Sequence, residues 1–216
     1  MKGLRIPGLG LPVNTIFCIG RNYADHAKEM GHKPPKEPMV FIKSRNSICF
    51  DGSEITIPTQ SDDVHHEVEL VIAIKKPGKN IPPENALEYI AGYGVGIDFT
   101  ARDLQKKAKK KGHPWSVCKG FDDFGPISSF VPFEGNEFPE LTLSLSVNEE
   151  IRQQGSTSMM LFTVEKLISY LSGIFTLEEG DLIFTGTPEG VSAVQAGDHI
   201  SATLNTNHTS LTVTIQ

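Results

Sequence analysis

Apolar and polar residues alternate from Leu141 to Asn148. Leu141, Leu143, Leu145 and Val147 fall on one side and Thr142, Ser144 and Ser146 on the other, the period of a strand with one buried face. Glu67–Ile74 alternates as well, with Val68, Leu70, Ile72 and Ile74 sharing a face. Its second half, LVIAI, is apolar on both faces, which predicts a strand running into the core. Short apolar runs predict further strands at Asn14–Ile19, Glu54–Pro58, Tyr93–Phe99 and Leu182–Thr185, and His199–Leu204 with Leu211–Ile215 predicts a closing hairpin around Asn205–Ser210. Helical spacing is clearest in Thr163–Ser172, where Val164, Leu167, Ile168 and Leu171 recur at i, i+3, i+4 and i+7 and Gly173 sits at the C′ position. Further helices are expected at Tyr23–Met30 after Asn22, at 83–91 behind Pro82-Pro83, and at 101–110, where Thr100 and Asp103 read as an acidic capping box. Pro58–Asp63 and Gly112–Pro126 read as surface loops. Many strands with few, segregated helices predict an α+β fold with a mostly antiparallel or mixed sheet, not a doubly wound one.

Composition narrows the function classes. A chain of 216 residues with 38% hydrophobic content can bury one sizeable core. Its net charge of −6 argues against a nucleic-acid partner. The one basic cluster, Lys106–Lys111, reads as a solvated helix end that complements the helix dipole. The longest apolar run, Leu70–Ile74, is five residues, far short of the ~20 a membrane helix needs. The first residues, broken by Pro7 and Pro12, resemble neither a signal nor a transit peptide. Cys18, Cys49 and Cys118 are widely spaced, so neither a disulfide framework nor a zinc site is expected, and a cytoplasmic location is.

Three groups of residues carry chemistry. In HHEVELVIAI, Glu67 and Glu69 point the same way, roughly 7 Å apart along the strand. Two carboxylates on one face need a cation, a base or open water, and a solvated strand end fits the same spacing. His65 shares that face and His66 the other, both read as surface histidines. Asp98 lies between Ile97 and Phe99 in the apolar GVGIDFT, where a buried carboxylate needs a cation or strong donors. The N-terminus of the helix at 101 is one such donor. Glu67, Glu69 and Asp98 together form an all-oxygen set suited to Mg²⁺ or Mn²⁺, and to Ca²⁺. In GRNYADHAKEMG, His26 and Glu29 are helical i, i+3 neighbours, a general-base pairing or a plain solvated pair. Gly20 and Gly31 bracket this segment like the joints of a lid, and Arg21 is a candidate carboxylate clamp. In WSVCKGFDDFGP, a strand would put Trp115, Val117 and Lys119 on one face, with Lys119 a functional cation or a snorkelling one. TGTPEGV predicts a tight turn in which Thr187 and free N–H groups could bind a carboxylate.

The segments GRNYADHAKEM, HHEVELVIAI, GYGVGIDFTARDLQ, KGHPWSVCKGFD and LEEGDLIFTGTPEGV occur in this order, and from Thr15 to Gln216 the chain resembles the fumarylacetoacetate hydrolase family. It is most similar to the small acylpyruvate hydrolase and oxaloacetate decarboxylase branch, without the SH3-like N-terminal domain or duplicated halves of larger members. The resemblance implies a mixed β-sandwich roll forming one catalytic domain over 1–216, residues 1–14 being an N-terminal extension, and a homodimer. It implies Mg²⁺ or Mn²⁺ on Glu67, Glu69 and Asp98, a lid dyad at His26 and Glu29, and an active-site lysine at Lys119. Arg21, Arg102, Gln105 and Thr187 fall on positions that contact substrate or steady the lid. The chain reads SRNS after Lys43 and SAVQ after Val191, departures at the pocket rim that bear on which substrate fits. The implied activity is metal-dependent cleavage of the C–C bond of a small 2,4-dioxo acid to pyruvate and a carboxylic acid. Alternatives are decarboxylation or keto–enol tautomerisation of oxaloacetate or a related oxo-diacid, and a non-catalytic metal-holding scaffold.

Overall fold

The computed structural model describes residues 3–24, 35–205 and 209–216. In chain order the strands and helices are β1 (Ile16–Gly20), β2 (Met39–Lys43), β3 (Ile48–Phe50), β4 (Ser53–Ile55), β5 (Val64–His65), β6 (Val68–Ile74), β7 (Ile90–Ile97), β8 (Thr100–Ala101), α1 (Arg102–Lys111), α2 (Ser116–Lys119), β9 (Gly125–Ile127), β10 (Val131–Pro132), β11 (Thr142–Val147), β12 (Glu150–Ser156), α3 (Val164–Ile174), β13 (Leu182–Phe184), β14 (His199–Leu204) and β15 (Thr209–Ile215).

Among the described residues these strands form an eight-stranded sheet, β2-β1-β13-β6-β7-β9-β3 with β10 also on β7, a five-stranded sheet, β12-β11-β14-β15-β4, and the small pair β5-β8. Most pairs are antiparallel, but β1 with β13, β3 with β9 and β15 with β4 are parallel, so the sheets are mixed. The architecture is the α+β fold with mixed sheets expected from the strand-rich pattern, in the sandwich form that the family resemblance implies. All of β6 is buried, because both of its faces are covered. On one face Leu70 and Ile72 join Val95 and Ile97 of β7, Leu143 and Leu145 of β11, Ala202 of β14, Leu211 of β15 and Leu167, Ile168 and Leu171 of α3. On the other, Val71 and Ala73 meet Ile16, Cys18, Leu182 and Phe184, and Ile6 and Val13 of the segment before β1 close over them. No described helix is long and apolar enough to cross a membrane.

Several local expectations change. Segment 83–91 is a 3-10 helix over Pro83–Tyr89, and Ile90 is already in β7, whose pairing with β6 takes over. Gly173 lies inside α3, which ends at Ile174 with Phe175 in extended conformation as its cap, so no left-handed glycine is used. Thr100 is not a helix cap: it sits in β8 and donates to Asp98 O, while Ala101 caps α1. Asp103 instead accepts from Ser61 Oγ at 2.6 Å and from Leu104 N at 2.7 Å. The expected loop at Gly112–Pro126 contains α2 and the start of β9. Residues 115–119 are therefore not strand-like. Val117 is 69% exposed while Lys119 is buried, as one helical turn allows and a shared strand face would not.

Candidate active site

The register of β6 and β7 builds the centre. Val68 pairs with Ile97, and Asp98 N–H donates to Glu67 O at 2.8 Å, which puts Glu67 and Asp98 side by side at one end of the sheet. Glu69, two residues on, shares the face of Glu67. One carboxylate oxygen from each of the three lies within 4.8 Å of the others, and all three residues are buried. Buried like charges this close need strong compensation. Arg102 NH2 is 2.5 Å from Glu67 Oε1, and Lys119 Nζ is 2.7 Å from Glu67 Oε2 and 2.5 Å from Asp98 Oδ2. Glu69 Oε2 accepts from Gly186 N–H at 2.7 Å. Gly186 has φ +100°, a conformation L side chains rarely adopt, and this aims its N–H at the carboxylate.

A third cation lies behind Asp98. Lys43, the last residue of β2, pairs with Asp98 Oδ1 at 2.7 Å. Two of its hydrogens go to Phe99 O and Lys119 O. Asp98 thus turns to lysines and not to the start of α1. Burial, then the Asp98 and Glu67 charges, push the Glu69 carboxyl well above the usual range despite Lys119 and the Gly186 N–H. Burial opposes the charge of Lys119, but Asp98 and Glu67 outweigh it and raise its pKa. Three buried carboxylates, each offering one oxygen within 4.8 Å of the others, form an all-oxygen set that fits a hard divalent cation.

The walls come from four other elements. Arg102, Gln105 and Lys109 recur at i, i+3 and i+7 along α1 and turn one stripe to the cavity, with Arg102 NH1 donating to Gln105 Oε1 at 2.8 Å. Trp115, immediately before α2, and Lys119 at its end add a second wall, Met39 and Phe41 of β2 a third, and Arg21 beyond β1 a fourth. Arg21 has φ +61°, a strained setting for a residue with a side chain and one that recurs at ligand sites. Thr187 closes the ring from the turn after β13. The cavity is tight and partly open to solvent.

A hydrogen-bonded chain behind Thr187 sets its polarity. Gln153 Oε1 accepts from Val68 N–H at 3.0 Å and Gln153 Nε2 donates to Pro188 O at 2.9 Å, two backbone groups that fix which end of the amide is which. His66 Nδ1, 2.9 Å from Gln153 Oε1, must then carry hydrogen, leaving Nε2 to accept from Ser192 Oγ at 2.8 Å. Burial pulls the His66 pKa down, in keeping with a neutral ring. Gln153 Nε2 also donates to Thr187 Oγ1 at 2.8 Å, so the threonine oxygen is an acceptor there and its hydrogen is left for the cavity.

Of the residues singled out in the sequence, Glu67, Glu69, Asp98, Lys119, Arg21, Arg102, Gln105 and Thr187 all line this one cavity. His26 and Glu29, and with them most of the expected Tyr23–Met30 helix, lie outside the described residues. His66 is not a surface histidine; it is fully buried. His65 is bound to Asp63 at 2.8 Å and lines no part of the cavity. Lys43, Gln153 and Lys109 were not anticipated. Lys106 and Lys107 are the solvated residues expected of the basic run, but Lys109 is half-buried, 5.4 Å from the Trp115 ring centre. Its helical phase with Arg102 and Gln105 was the available signal.

Comparison with known proteins gives a consistent picture. A sequence profile described as Fumarylacetoacetate (FAA) hydrolase C-terminal matches residues 15–216. An oxaloacetate tautomerase of Arabidopsis thaliana is 50% identical over 188 residues, 87% of this chain and 84% of that protein. An oxaloacetate tautomerase of Escherichia coli is 45% identical over 200 residues, 91% of each. The crystal structure of fumarylpyruvate hydrolase from Pseudomonas aeruginosa in complex with Mn²⁺ and pyruvate superposes with a TM-score of 0.94 at 38% identity, covering 100% of this chain and 96% of that one.

Proposed function

Because the chain belongs to the fumarylacetoacetate hydrolase family, we propose that it is a divalent-metal-dependent enzyme that converts a small 2-oxo acid through its C3 enolate, with keto–enol tautomerisation of oxaloacetate as the leading reaction. The observation that carries this reading is the buried carboxylate set Glu67, Glu69 and Asp98, ringed by cations in one small cavity. Glu67, Glu69 and Asp98 would hold Mg²⁺ or Mn²⁺, which supplies Lewis acidity toward the 2-oxo group. Thr187 donates its free hydroxyl hydrogen to the acid's C1 carboxylate, and Gln153 keeps it in that role. Lys119, held charged by Glu67 and Asp98, stabilises negative charge growing on the enolate oxygen and keeps a proton near it. Arg102 and Gln105, tied to each other, fix the wall against which the acid lies. Met39, Phe41 and Trp115 keep water from the carbanion side. By the sequence resemblance, the dyad of His26 and Glu29 would take the C3 proton.

Relatives of this chain, those of Arabidopsis thaliana and Escherichia coli among them, bear the name oxaloacetate tautomerase, which supports tautomerisation as the leading reading. The second reading is hydrolysis of an acylpyruvate or fumarylpyruvate, supported by the lid dyad that the sequence resemblance assigns to His26 and Glu29 and by the similarity to a fumarylpyruvate hydrolase. One experiment separates them. Purified protein with Mg²⁺ is given enol-oxaloacetate, acetylpyruvate and fumarylpyruvate, each followed by absorbance, before and after EDTA. Fast, EDTA-sensitive loss of the enol with slow release of pyruvate from the other two supports the first reading. Fast pyruvate release from a dioxo acid supports the second, and undiminished activity after EDTA and metal removal overturns both.

A further inference from the structure

Among the described residues, the cavity lining carries more positive charge than its carboxylates use. Glu67, Glu69 and Asp98 face Arg102, Lys119 and Lys43, three negative charges against three positive. Arg21 and Lys109 also line the cavity, and among the described residues neither pairs with a carboxylate. A bound divalent ion adds to this excess. Such a field favours a ligand that carries a second negative charge.

We infer that Lys109 of α1, together with Arg21, forms a subsite for a second carboxylate, so that the enzyme selects 2-oxo diacids over 2-oxo acids with a neutral tail. The inference rests on the proposed function and narrows its substrate class. Three features place Lys109 in this role. Its phase on α1 continues the stripe of Arg102 and Gln105, directing it to the same cavity. Its ammonium lies by the Trp115 ring, an apolar flank on which an incoming ion pair is poorly hydrated and correspondingly strong. Finally, burial and the Arg21 and Arg102 charges pull its pKa down to about 8, the mark of a cation with too little negative charge nearby. A carboxylate arriving between Arg21 and Lys109 relieves that repulsion. A methyl ketone tail does not.

Trp115 is the only tryptophan in the chain, so its fluorescence reports this wall directly. Mg²⁺-loaded protein is titrated with malate and with lactate, unreactive analogues of a 2-oxo diacid and a 2-oxo monoacid, and kcat and KM are measured in parallel for oxaloacetate and acetylpyruvate. Wild-type protein is expected to bind malate about 10- to 100-fold more tightly than lactate, the span of one charge-assisted contact. Lys109→Met keeps the alkyl stem on Trp115 and should collapse that ratio, with the oxaloacetate loss appearing in KM. Lys109→Arg should restore most of it, which a merely structural role would not predict. If either substitution misfolds by circular dichroism, Lys109→Gln carries the same test. A malate-to-lactate ratio unchanged by loss of the Lys109 charge overturns the subsite and leaves the proposed function standing. A wild-type protein that binds neither analogue and turns over neither acid overturns both.

Discussion

Gln153→Glu replaces an amide by a carboxylate of the same shape and so tests the hydrogen-bond chain behind Thr187. One glutamate oxygen can still accept from Val68 N–H and His66 Nδ1–H. The other, standing where Nε2 now donates to Thr187 Oγ1 at 2.8 Å and to Pro188 O at 2.9 Å, can only accept. Thr187 must then turn its hydrogen inward to the new carboxylate, and the cavity loses its hydroxyl donor. A hydrogen bond to a charged ligand group contributes about 1.5–3 kcal/mol, so oxalate affinity should fall roughly 10- to 150-fold. Pro188 O loses its donor and faces a buried charge, at a cost of about 3 kcal/mol, or a Tm lower by roughly 6–12 °C. Thr187→Val removes the same donor without touching Val68 or His66, so it should match the affinity loss with a smaller Tm change. Trp115 fluorescence titration with oxalate, alongside thermal melts, reads both quantities. Because both substitutions remove one interaction, the double variant should lose little more affinity than either single one. Wild-type oxalate affinity in Gln153→Glu, or additive losses in the double variant, refutes the polarity argument.

Divalent cation binding should stabilise the protein measurably: at a hundredfold excess over Kd the gain is about 2.7 kcal/mol, so Mg²⁺ or Mn²⁺ should raise Tm by roughly 5–10 °C and Glu69→Gln should abolish most of that rise. Lys109, depressed to about 8 by burial, Arg21 and Arg102 and opposed by Glu67, binds fewer protons folded than unfolded between about pH 8 and its ordinary value. This group therefore makes stability climb with pH across that window, while malate affinity falls there as the ammonium is lost, and Lys109→Met should flatten both profiles. Gly186→Ala puts a Cβ 2.7 Å from Asn22 Cβ at φ +100° and shifts the N–H that Glu69 accepts, so it should cost more than about 1 kcal/mol in a denaturant melt and weaken cation binding too. Lys43→Met leaves Asp98 facing one lysine fewer in a buried site and should cost about 3–5 kcal/mol, seen as a large drop in the urea midpoint.

Periodicity made the centre of the site legible. Glu67 and Glu69 share a face because strand period is two, and Asp98 stood out as a charge inside an apolar strand. The hidden parts share one physical cause: their partners are distant in sequence. Lys43 is the last residue of an apolar strand, and nothing local says that it will meet Asp98, Phe99 and Lys119. Gln153 lies on β12, an edge strand whose EIRQQGS sequence has no apolar alternation, so neither the strand nor its buried glutamine shows. Lys109 is masked by its basic neighbours, and only its phase relative to Arg102 sets it apart. The short strands β3 and β9 pair in parallel across the chain and carry too few residues for a pattern to register. In α3 the apolar period was correct, but it did not specify the end, since Phe175 caps in extended conformation where a glycine was expected.

The acidic residues sit at one end of β6 and β7, the pair of strands at the middle of the larger sheet, both faces of which are covered. Amide hydrogens in such strands exchange with solvent only when the whole domain opens, whereas those at the cavity rim, on α1 and around Trp115, exchange through local openings. A cation bound among Glu67, Glu69 and Asp98 therefore penalises the global opening, and an organic acid lodged against α1 penalises local ones in addition. Deuterium uptake resolved by segment would then distinguish the two ligands without any turnover. Cation binding slows the exchange of β6 and β7, and the acid extends that protection outward to α1.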